Sequence, residues 1–92
     1  TLELIKEVVY NFYEVSIDDI ISTSRQQNIT RPRQIAMYLS RKMTNVSWVK
    51  IANSFERDHA TVMHGSEKIE GMMEEDIAFS KEIKELKNMI RE

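Results

Sequence analysis

The apolar residues of this chain recur at helical spacing almost from end to end. Phe79, Ile83, Leu86 and Ile90 stand four, three and four residues apart, the pattern of a helix that lays one stripe against a core. Leu2, Ile5, Val9 and Phe12 repeat it at the other end, with Val8 beside them. Two glycines and one proline are the only strong helix breakers in 92 residues, and Ile, Met, Glu and Lys are abundant. No alternating stretch is long enough to argue a strand. The fold class read from this is all-α, with about six helices. A chain of this length buries one core, so residues 1–92 are read as a single domain.

Cap residues divide the chain. The first helix covers residues 2–13. Ser16 caps a short second helix that carries Ile17, Ile20 and Ile21 inward. From Ser22 to Thr30 the apolar pattern stops, which predicts an exposed polar loop holding Arg25. Thr30 is the expected N-cap of a third helix with Pro32 in its first turn, burying Ile35, Ala36, Leu39 and Met43. Thr44-Asn45 breaks it, and Ser47 caps a short fourth helix with Trp48, Ile51, Ala52 and Phe55. Asp58 caps a fifth, whose inner stripe is Val62, Ser66, Ile69 and Met73. The terminal amphipathic helix covers about 75–91.

Composition excludes several function classes. At 41% hydrophobic and 30% charged the chain is neither disordered nor membrane-like. No apolar run approaches the roughly 20 residues of a bilayer span, and no signal peptide is evident. There is no cysteine, hence no disulfide framework and no thiolate metal site. A cytoplasmic, nucleoid-associated location is the expectation. A first residue of Thr1 rather than Met suggests a piece of a longer protein. His59 and His64 lie about 140° apart around a helix of 3.6 residues per turn, which disfavours a shared zinc. With no activated nucleophile, metal cluster or glycine-rich phosphate loop, no enzyme is expected.

The net charge of −2 conceals a division. Residues 1–21 carry Glu3, Glu7, Glu14, Asp18 and Asp19 against Lys6 alone, a net −4. Residues 22–68 carry Arg25, Arg31, Arg33, Arg41, Lys42, Lys50, Arg57 and Lys68 against Glu56, Asp58 and Glu67, a net +5. Residues 69–92 return to −3, with seven acids against Lys81, Lys84, Lys87 and Arg91. A basic middle between acidic ends suits a polyanionic partner.

Within that basic middle, a short helix, a tight turn at Glu56-Arg57 and a longer helix make a helix-turn-helix over about 47–70. Small Gly65 and Ser66 are expected to let its two helices approach closely. Asp58, His59 and Ala60 open the longer helix, where a reading helix presents its first turn to the major groove. A carboxylate there accepts from a cytosine or adenine amino group, an imidazole donates to a base acceptor, and a methyl packs on a thymine methyl. Thr61, His64 and Lys68 follow on one face, with donors suited to phosphates.

These residues carry a resemblance. Phe55-Glu56-Arg57-Asp58-His59-Ala60-Thr61-Val62-Met63-His64 with Lys68-Ile69 resembles the signature of the C-terminal DNA-binding domain (domain IV) of bacterial chromosomal replication initiators of the DnaA family. Arg31-Pro32-Arg33-Gln34-Ile35-Ala36-Met37-Tyr38 and Met43-Thr44-Asn45-Val46-Ser47 are similar to its other blocks. The similarity extends from Leu2 to about Ile90. It implies an all-helical, Trp-repressor-like domain binding double-stranded DNA at DnaA boxes of replication origins. It implies base contacts by Arg25, in the minor groove, and by Asp58, His59 and Ala60. The implied backbone contacts are Arg33, Gln34, Arg41, Ser47, Trp48, Val49, Thr61, His64 and Lys68. No cofactor is implied for this chain, since ATP belongs to a separate ATPase domain of such initiators. The isolated domain is expected to be monomeric, with oligomerisation through the parent protein.

The chain departs from the family pattern at four places. Glu56 alone stands where two glycines are usual, Ala60 where Thr is commoner, Trp48-Val49 where Leu-Pro is common, and Gly65 where Ala is usual. If solvent-exposed, Gly65 would weaken its helix by ~1 kcal/mol. Two other readings stand beside the initiator one: a related phage or regulatory DNA-binding domain with a different target, and a helical protein-interaction module using the acidic ends.

Overall fold

The structure, a computed structural model, describes residues 1–22 and 25–91, with Ile21 described by its backbone alone. Among these residues the chain forms six helices and no strand: α1 Leu2–Tyr13, α2 Ile17–Ile21, α3 Gln27–Met43, α4 Trp48–Ser54, α5 His59–Glu75 and α6 Ile77–Arg91. Local chemistry sets most boundaries. The Ser16, Ser47 and Asp58 side chains accept from the backbone N–H groups of Asp19, Lys50 and Thr61, as their cap positions predict.

The third helix starts earlier than its sequence suggests. The Gln26 carbonyl accepts from the N–H groups of Ile29 at 3.0 Å and Thr30 at 2.8 Å, so the helix is under way before Thr30. Ile29 is buried, and that burial outweighs the polar run around it. Pro32 therefore lies inside α3 rather than in its first turn. Its missing N–H leaves the carbonyl of exposed Asn28 to water, a modest loss so near the helix start.

α3 is the centre of the fold, packed by α1, α2, α4 and α5, while α6 closes over α1 and α5. Its burial is accordingly wider than one stripe. Every residue from Ile35 to Ser40 is buried, whereas Met43, at the end of the helix, is only half-buried. Ile5, Val9, Ile20, Ile51, Val62, Ile69, Ile83 and Leu86 join the core from the other five helices, and Phe55 from the end cap of α4. Ile17 does not join them. At the first position of a five-residue helix it is 59% exposed. The expectation for the Ile21 side chain lies outside the described residues.

Gly65 serves a different neighbour from the one anticipated. A Cβ there would stand 3.3 Å from Gln34 Cγ and 3.4 Å from Met37 Sδ, so it permits close approach of α5 to α3, not to α4. The residue is buried, which removes the premise of an exposed weak point. At the opposite edge, Tyr13 Oη donates to Glu82 Oε2 at 2.5 Å and ties α1 to α6. No helix among the described residues is long and apolar enough to cross a membrane.

Candidate nucleic-acid interface

The α4–turn–α5 unit is built from two caps set back to back. At the end of α4 the Glu56 N–H donates to the Asn53 carbonyl and the Arg57 N–H to the Ala52 carbonyl. This pair of bonds is a Schellman motif, with Glu56 in the left-handed region at φ 54°. Phe55, 1% exposed, pins the turn to the core. The following residue but one, Asp58, caps α5: its Oδ1 accepts from the Thr61 N–H at 2.8 Å. One residue in the left-handed conformation thus performs the reversal.

This geometry exposes the candidate reading surface. Asp58, His59, Ala60, Thr61, His64 and Lys68 all face solvent, while Val62, Gly65, Ser66 and Ile69 turn inward. The Asp58 carboxyl is held below the usual carboxylate range, chiefly by the Thr61 backbone N–H and next by the Thr61 hydroxyl. It is therefore an anion at neutral pH, with Oδ1 committed to the cap.

The remaining candidates divide into two groups. Arg25 and Arg41 are exposed, as are Ser47 and Val49 at the start of α4, and Trp48 is half-buried. Arg41 is organised there: its guanidinium lies 4.8 Å from the Trp48 ring centroid and Nη1 donates to the Val46 carbonyl at 3.1 Å. Gln34 is half-buried beneath α5, close to Gly65.

Arg33 departs most from its implied place at a phosphate. The residue is only 7% exposed. Nε donates to the Ile20 carbonyl at 2.7 Å, and Nη2 to those of Ser22 at 3.0 Å and Asp19 at 3.2 Å. The carbonyls at the end of α2 lack helical partners, and a guanidinium fork satisfies several at once. Burial, and next the nearby Arg57 charge, lower its pKa. Arg33 is thereby a tether between α2 and α3.

Two residues important to this site carried no sequence signal of their role. Arg57 Nη1 donates to the Phe55 and Glu56 carbonyls at 3.3 and 3.2 Å, and Nη2 reaches back to the Ser22 carbonyl. Lys6, buried beneath the turn, donates from Nζ to the carbonyl and hydroxyl of Ser54 and lies 4.6 Å from the Phe55 ring centroid. Both depend on carbonyls brought from distant elements. Among the described residues no group of three His, Cys, Asp or Glu side chains gathers to hold a metal.

The family described as the bacterial dnaA protein helix-turn-helix matches residues 2–69, which include α1 to α4 and the reading face of α5. The chain belongs to this family. It is 44% identical over 91 residues to the chromosomal replication initiator protein DnaA of Thermoanaerobacter sp., covering 99% of this chain and 20% of the relative. To the DnaA of Oenococcus oeni it is 46% identical over 93 residues, covering 100% of this chain and 21% of the relative. The chain thus spans about a fifth of the length of these relatives. A crystal structure of a DNA replication initiation factor superposes with a TM-score of 0.87 at 36% identity, over 97% of this chain and 27% of that one. The all-α dnaA helix-turn-helix architecture read from the sequence is therefore the fold of this chain.

Proposed function

We propose that this chain binds double-stranded DNA sequence-specifically, reading DnaA boxes at a replication origin. In this reading the first turn of α5 enters the major groove and Arg25 enters the minor groove. The observation that carries it is the tip of α5. The turn and the Asp58 cap hold a carboxylate, an imidazole and a methyl side by side in solvent at a helix start, with the phosphate-seeking Thr61, His64 and Lys68 behind them. Arg25, Arg41 and Lys68 are exposed positive charges available to phosphates. The relatives' name, chromosomal replication initiator, points to origin DNA as the target. Arg33 is left out of the phosphate contacts, because its guanidinium serves α2.

Fluorescence anisotropy at one fixed salt concentration tests the proposal. A DnaA-box duplex should bind roughly 1000-fold or more tightly than a scrambled duplex of the same length. Equal affinities would end the claim of specificity. The single-residue turn at Glu56 favours a second reading, a shifted target, because it sets the aim of α5. Selection from a random duplex library decides between them: enrichment of an unrelated motif would support the second.

A further inference from the structure

Two guanidinium groups converge on one carbonyl at the edge of the interface. Arg33, from α3, and Arg57, from the turn before α5, both donate to the Ser22 oxygen. Ser22 is also held from its own side, its N–H bonded to the Asp18 carbonyl and its hydroxyl to that of Asp19. Arg57 meanwhile donates to the carbonyls of Phe55 and Glu56, within the reversal that aims α5. One side chain therefore bonds at once to the turn that aims the reading helix and to the point where the chain leaves α2 towards Arg25.

We infer that Arg57 is a positioning residue that locks Arg25 to the reading helix, so that the two grooves are engaged as one unit. This rests on the minor-groove role given to Arg25 above. Arg25 lies three residues beyond Ser22, and three residues of chain reach at most about 11 Å. Arg25 directly precedes Gln26, the N-cap of α3, so the segment that carries it is anchored at that end by α3 and at its other end by Ser22, which Arg57 holds. A segment held at both ends spares the ordering cost that a loose loop would meet on binding. Arg57 precedes the helix cap Asp58 directly, so the same guanidinium registers both reading elements against each other. Its planar fork serves three carbonyls in two segments. A lysine ammonium keeps the charge but not the fork.

A double-mutant cycle on the DnaA-box duplex tests this, using the 92-residue chain with R25A, R57K and the double variant. Thermal melts followed by circular dichroism establish that each variant is folded at the binding temperature. R25A should weaken binding by at least about tenfold. R57K should lose affinity to a similar extent although the charge is kept, and the double variant should bind within about twofold of R25A. A merely structural role for Arg57 would leave the affinity of folded R57K unchanged, and a direct phosphate contact would largely survive as lysine. R57K binding like the wild type, or losses that multiply in the double variant, would overturn the inference alone. R25A binding like the wild type would overturn the minor-groove reading, and the inference with it.

Discussion

The ammonium of Lys6 in α1 lies 2.7 Å from the carbonyl oxygen of Ser54, the last residue of α4. A cation at the carbonyl end of a helix answers both the unpaired acceptors and the negative end of the helix dipole. It also joins the first helix to the floor of the turn. Burial lowers the Lys6 pKa, with the Glu3 and Glu56 charges opposing that shift. Lys6→Met keeps the apolar stem over Phe55 but removes the bonds to Ser54. Chemical denaturation should show a loss of ~1–2 kcal/mol, while DNA affinity measured well below the melting temperature stays unchanged.

Glu56→Gly should stabilise the domain. A non-glycine residue in the left-handed region costs about 1–2 kcal/mol, part of which glycine returns through its greater freedom in the unfolded chain. The expected net gain is ~1 kcal/mol, read from a urea midpoint at constant slope. Glu14→Gly tests the same principle away from the site, since Glu14 ends α1 in a matching Schellman motif at φ 56°. If both variants are less stable than the parent, the left-handed conformation is not the source of strain.

Asp58→Asn separates capping from reading. Asparagine retains an oxygen for the Thr61 N–H but loses the negative charge. The helix content should be preserved, and discrimination between box and altered duplexes should fall by roughly tenfold or more. Lys68→Ala should instead weaken all duplexes alike and flatten the plot of log affinity against log salt by about one. If Lys68→Ala changes a single base preference, its assignment to the backbone is wrong.

The alkaline limb of stability should respond to Tyr13. Burial first, then the hydrogen bond and charge of Glu82, push the Tyr13 phenol well above its ordinary value of 10.0. The folded state thus holds a proton that the unfolded state releases near pH 10. Stability from this group is complete below about pH 10 and is lost as pH rises from there towards the folded pKa. Tyr13→Phe should cost ~1 kcal/mol at neutral pH and make this part of the pH profile shallower. Unfolding free energies between roughly pH 8 and 11 measure both effects.

Much of the architecture was legible because its causes are local. Spacing identified the six helices, and Ser16, Ser47 and Asp58 act within three residues of their own positions, as caps do. The start of α3 was misplaced for a nonlocal reason: Ile29 is buried by neighbours that the polar sequence around it does not reveal. The candidate site divides the same way. Which side chains share the exposed face of α5 follows from 3.6 residues per turn, together with the family motif. Which arginine faces solvent does not.

By itself, then, the sequence determined the helices, the caps Ser16, Ser47 and Asp58, the helix-turn-helix and the membership of the dnaA family. Each depends on periodicity or on bonds between near neighbours. Only the tertiary structure decided the fates of Arg33, Arg57 and Lys6. In the chain Arg33 read as a DNA-backbone contact and Arg57 and Lys6 as charges with no partner of their own, yet all three bond to carbonyls that the fold brings to them. A long cation is recruited wherever packing leaves helix-end acceptors unpaired within its reach. That depends on how α1, α2 and α4 terminate beside distant partners, which no spacing along the chain encodes.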